Sequence, residues 1–100
     1  MKRTKEDIAW SNMIRERDRW TCQKCGHVFT PPDVAGLDAA HIWSRAIKKV
    51  RHDPDNGLAL CTGCHLSWAH RNPLDFHAWV KEKLGAERYT ALMQRAKRIK

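Results

Sequence analysis

The chain has 100 residues, a formal net charge of +8, 42% hydrophobic residues and five tryptophans. That length fits one domain, residues 1–100, and so small a domain gains only thin stability from its core, which favours recruitment of a metal. The composition excludes a disordered chain; the charged first twenty residues exclude a secretory leader, and no apolar run reaches the length of a membrane span.

In chain order, Thr4 and Asp7 form an N-cap with an acidic first turn, opening a helix over about residues 5–17. Arg15, Arg17 and Arg19 suit its C-terminal end. Trp20-Thr-Cys22 starts an extended piece, and Cys25-Gly26 closes a tight knuckle. Residues 30–36 form a loop, and Leu37 to Ile42 a short strand. Residues 43–55 make a polar, basic loop ending in the turn formers Asp53-Pro-Asp-Asn-Gly57, and Leu58-Ala-Leu60 is a second strand. Thr62 to about Arg71 is a helix. Asn72-Pro73 starts another, which stops at Gly85, and Ala86 to about Lys97 is the last. The class is therefore α+β, with a core over residues 19–70, a preceding helix and a two-helix extension over 72–98.

Cys22-Gln-Lys-Cys25 and Cys61-Thr-Gly-Cys64 are two C-x-x-C knuckles, and they use every cysteine. A zinc ion takes four such ligands in a tetrahedron, two from each knuckle. The expected compartment is the reducing cytoplasm, where disulfides are rare. A redox use is disfavoured because neither motif follows a strand in a βαβ unit, and His27 could substitute as a ligand. A structural zinc would fix what lies between the knuckles: His41, the basic loop and Asn56.

The positive charge favours a polyanionic partner, nucleic acid above all. Phosphodiester hydrolysis needs a base for water and a cation for the charge that develops on phosphate and leaving oxygen. His41, at a strand end before a loop, can be that base in its neutral form. His65 directly follows Cys64, so its position is tied to the zinc. Asn56 sits in the returning turn, where its amide can hold loop backbone. Arg45, Lys48, Lys49 and Arg51 flank His41 and are candidate phosphate contacts.

Cys22-x-x-Cys25-Gly26, Ala40-His41-Ile42, Asp53-x-Asp55-Asn56-Gly57-Leu58 and Leu60-Cys61-x-x-Cys64-His65 appear in the order that resembles the HNH endonuclease family, with its zinc-stapled ββα-metal core. Residues 40–45 are similar to small stand-alone members often found in phage genomes. The resemblance implies that His41 is the general base, that Asn56 orients its loop, and that His65 binds a catalytic divalent ion (Mg²⁺, Mn²⁺, Ni²⁺ or Zn²⁺). It implies two departures as well. Ala40 stands where many members have a ligand before the base, and Ala69 where many have a second helical ligand. His70 comes one residue later, about 140° from His65 around an α-helix. Asp38 could help, although strand alternation turns it away from the side of His41. His52, His70 and His77 are read as non-ligands.

The expected activity is metal-dependent DNA cleavage with loose sequence preference, by nicking for a monomer and through a weak dimer or two events for both strands. The alternatives are a zinc-dependent DNA-binding module that does not cut, and an accessory subunit acting beside a partner such as a phage packaging enzyme.

Overall fold

The computed structural model describes residues 3–97. Helix α1 spans Lys5–Arg17 and opens with a reciprocal capping box: Asp7 N donates to Thr4 Oγ1 at 3.1 Å, and Thr4 N to Asp7 Oδ2 at 2.8 Å. Strands β1 (Leu37–His41) and β2 (Gly57–Cys61) pair antiparallel, with Asp38 opposite Leu60 and His41 opposite Gly57. A π-helix, Gly63–Ala69, follows β2 directly. Helices α2 (Pro73–Leu84) and α3 (Ala86–Lys97) then form the extension, separated by Gly85 at φ 90°, a left-handed turn that glycine adopts without penalty. Among the described residues no helix is long and apolar enough to cross a membrane.

A two-stranded hairpin is not stable alone and needs packing on its faces. Here Leu37, Leu58, Leu60, Val50, Val80 and Leu92 are buried together, so α2 and α3 complete the core that the hairpin begins. On the other side, α1 lays Trp10 and Ile14 over the β1–β2 pair, both buried. Gly57 makes this approach possible, because a Cβ there would lie 2.5 Å from Trp10 Cζ2. The outward polar groups of Ala59 are covered by the chain itself. Its N–H donates to Asp18 Oδ2 at 2.8 Å, and its carbonyl accepts from Gln23 N at 2.9 Å, which blunts that sheet edge.

Helix α3 works against the loop before β2. Arg95 pairs with Asp53 at 2.7 Å and with Asp55 at 3.2 Å, and Arg88 with Asp55 at 2.8 Å. The charge of Arg95 is thereby used inside the fold. Residues 98–100 lie outside the described part of the chain.

Candidate active site

The four cysteines converge. Their sulfurs all lie within 4.8 Å of one another, and Cys25 Sγ and Cys61 Sγ are 3.8 Å apart. A tetrahedral zinc with bonds of about 2.3 Å spaces its sulfurs about 3.8 Å apart, so the set fits such an ion. Each knuckle is preformed by its own backbone: Cys25 N donates to Cys22 Sγ and Cys64 N to Cys61 Sγ, both at 3.5 Å. Burial opposes charge on Cys22, yet the backbone N–H groups of Cys25, Cys61 and Lys24 bring its thiol down to about 6. His27 is not needed as a ligand, and its ring packs edge-on against Phe29 instead.

At the far end of β1, His41 is half-buried. Its ring stacks on Trp10, with centroids 4.1 Å apart and planes 14° from parallel. His41 Nε2 lies 2.9 Å from the carbonyl oxygen of Arg51. A carbonyl can only accept, so Nε2 carries the hydrogen and the lone pair of the neutral ring sits on Nδ1. Burial pushes the His41 pKa below its usual 6.5, and the neighbouring Arg45 and Arg51 cations push the same way.

Asn56 is fully buried and holds both ends of the loop between the strands. Its Oδ1 accepts from Trp43 N at 2.8 Å, while Nδ2 donates to the carbonyls of Trp43 at 3.0 Å and Val50 at 2.9 Å. One side chain thus satisfies three backbone groups, two of them just past His41.

Asp7 grips the same loop from α1, a role the sequence hid behind its legible part in the helix cap. It accepts from Arg51 Nε at 2.8 Å and again from Arg51 Nη2, and it meets His52 Nε2 at 2.8 Å. The Arg51 guanidinium beside it holds the Asp7 carboxyl well below the usual carboxylate range. Arg51, expected among the phosphate contacts, has its side chain only 12% exposed and its fork filled by Asp7, so it acts as a clamp. Arg45 differs. Its Nη2 lies 3.5 Å from Asp7 Oδ2, an ion-pair contact, but neither Nε nor Nη2 has a hydrogen-bond partner among the described residues. Lys48 and Lys49 are exposed.

Asp38 and His65 are brought together, with Asp38 Oδ2 3.0 Å from His65 Nδ1. Strand alternation does separate Asp38 from His41: one meets the π-helix while the other stacks on α1. Yet both line a single groove of about 730 Å³, together with Arg45, His65 and His70. Two donor atoms about 3.0 Å apart match adjacent vertices of an octahedral ion with bonds of about 2.1 Å, so this pair fits a divalent cation. Ala40 and Ala69 are buried at 1% and 4% exposure and offer no ligand.

A model of the HNH endonuclease family matches residues 22–72. The chain belongs to the HNH endonuclease family. Its members are nucleases that act on DNA with divalent metal ions, and the matched segment carries both knuckles, His41, Asn56 and His65. Neither the comparison with curated proteins nor that with solved structures gave a match.

Proposed function

We propose that the chain is a metal-dependent DNA endonuclease with loose sequence preference, which nicks as a monomer. The observation that carries this reading is the groove, where an oriented neutral imidazole and a carboxylate–imidazole pair face the same space. His41 Nδ1 takes a proton from water as the water oxygen bonds to phosphorus and the bond to the 3′ oxygen breaks. The Arg51 carbonyl and the Trp10 ring hold the base in that orientation, and Asn56 fixes the loop behind it. Asp38 and His65 would hold the divalent ion, whose chemistry is to stabilise charge on the phosphate and the leaving oxygen. Arg45, Lys48 and Lys49 contact phosphate, and zinc on the four cysteines is structural.

The test is cleavage of supercoiled plasmid by the zinc-loaded protein with Mg²⁺, Mn²⁺ or Ni²⁺. His41→Ala and His65→Ala should each abolish nicking while zinc content and melting are kept. The wild-type rate should hold through neutral pH and fall only in acid below the ordinary histidine range, because protonated His41 is no base. Cutting by His41→Ala at the wild-type rate would overturn the base assignment. DNA binding without cutting under any ion would favour a binding module or a partner-dependent subunit, the reading that buried Ala40 and Ala69 support.

A further inference from the structure

His70 lines the groove and is a metal-ligating side chain that the Asp38–His65 pair does not use. His70 lies five residues after His65. In an α-helix that spacing places two side chains about 140° apart and out of reach of a common ligand. This segment is wound differently. Residues 63–69 form a π-helix, and His70 N donates to His65 O at 3.0 Å, the i→i+5 closure of that winding. Such a winding has about 4.4 residues per turn, so a residue five positions on returns to within about 50° of the same side instead of about 140°.

The rings record the result. The centroids of His65 and His70 are 4.5 Å apart, with planes 71° from parallel. Two imidazoles bound to adjacent vertices of one ion, through bonds of about 2.1 Å, carry their centroids about 4.5 Å apart. His65 is fixed at its other contact by Asp38, while His70 is exposed and lines the same groove. Ala69, the residue before it, is turned into the core at 4% exposure. The wide turn thus buries the small residue and presents the imidazole.

We propose that His70 is a third protein ligand of the divalent ion held by Asp38 and His65, and that the π-winding of residues 63–69 exists to bring it there. π-Turns are rare and recur at functional sites, which is the pattern expected when an inserted register serves a ligand. Among the described residues only the four cysteines converge as a ready-made set of three or more ligating atoms. His70 therefore completes its site as the ion arrives. It is exposed, so the rotation required of it displaces no core packing. This inference rests on the reading of Asp38 and His65 as the ion-holding pair.

The experiment titrates Mn²⁺ into the zinc-loaded chain by calorimetry and counts coordinated imidazole nitrogens from the Mn²⁺ electron spin echo. The wild type should show two nitrogens. His70→Ala should show one and bind Mn²⁺ at least about tenfold more weakly, on the scale of losing a groups that supports a metal site. His70→Asp should recover affinity with one nitrogen, because a carboxylate also ligates Mn²⁺. Zinc content and melting should be unchanged in both variants. If the wild type shows one nitrogen, and His70→Ala keeps that nitrogen and the wild-type affinity while His65→Ala loses both, His70 is no ligand and the Asp38–His65 pair stands. If neither variant changes Mn²⁺ binding, the pair fails, and this inference fails with it.

Discussion

The two clusters of ligating side chains differ in how finished they are. At the knuckles, four sulfurs already face one another and the backbone has closed both hairpins around them. In the groove, one carboxylate–imidazole pair is set, a further ring waits beside it, and the rest of the space is open. A metal that serves the fold is enclosed by protein, whereas one that serves a reaction keeps positions free for water and substrate. The same contrast runs through the arginines of the loop. Arg51 has its fork filled by Asp7, whereas Arg45 only reaches Asp7 as an ion pair at 3.5 Å, with no hydrogen bond to its Nε or Nη2 among the described residues.

The largest expected effect lies at the knuckles. Stripping the structural ion, or Cys64→Ser, should abolish cooperative melting, because binding energy on the order of 10 kcal/mol is folding energy in a chain this small. Removing only a weakly held divalent ion from the groove should leave the circular-dichroism melt unchanged. A chain that melts identically with and without zinc would erase the comparison.

Next comes the loop that joins the two clusters. Asn56→Ala leaves Trp43 N, Trp43 O and Val50 O without their partner in a buried setting, so a loss of roughly 3 kcal/mol is expected in urea unfolding. Asn56→Asp should be at least as damaging, because a carboxylate cannot donate to the two carbonyls.

The Asp7 clamp should show itself through pH. The folded-state pKa of Asp7 lies below its unfolded value of 3.8, so its contribution is complete above that value and is lost as pH falls beneath it. Melting temperatures of wild type and Asp7→Asn should differ at neutral pH and converge in stronger acid; a constant gap down to pH 2 would contradict the clamp. The smallest effect separates the arginines. Arg45→Gln should lower the melting temperature less than Arg51→Gln does, and should lower the salt slope of DNA binding by about one.

Much of this was legible in the sequence because it is local. The cap at Thr4, the helix start at Pro73, the stop at Gly85 and the two knuckles each announce themselves within a few residues, although Asn72 makes no side-chain capping bond. What stayed hidden depends on packing. Nothing near Asp7 points to Arg51, 44 residues away, so a capping residue conceals a clamp and a basic loop residue reads as a phosphate contact. Trp10 of α1 is buried, and nothing in the sequence says that it is also the surface on which His41 lies flat. Helix periodicity assumes 3.6 residues per turn, and the π-winding of residues 63–69 breaks that assumption, bringing the His65 and His70 rings together. Strand alternation placed Asp38 correctly but could not say that His65 would meet it.

The bond between Asp7 and Arg51 also bears on the order in which the chain assembles. Along the backbone its two ends are 44 residues apart. Once an ion joins Cys22 to Cys61, the path runs fifteen residues from Asp7 to Cys22 and ten from Cys61 back to Arg51. Shortening the loop to about 25 residues lowers its closure entropy by about 0.5 kcal/mol. An ion at the knuckles therefore gives α1 a head start in finding the loop that carries the base, and the wall behind His41 is raised sooner for a bond made at the other end of the sheet.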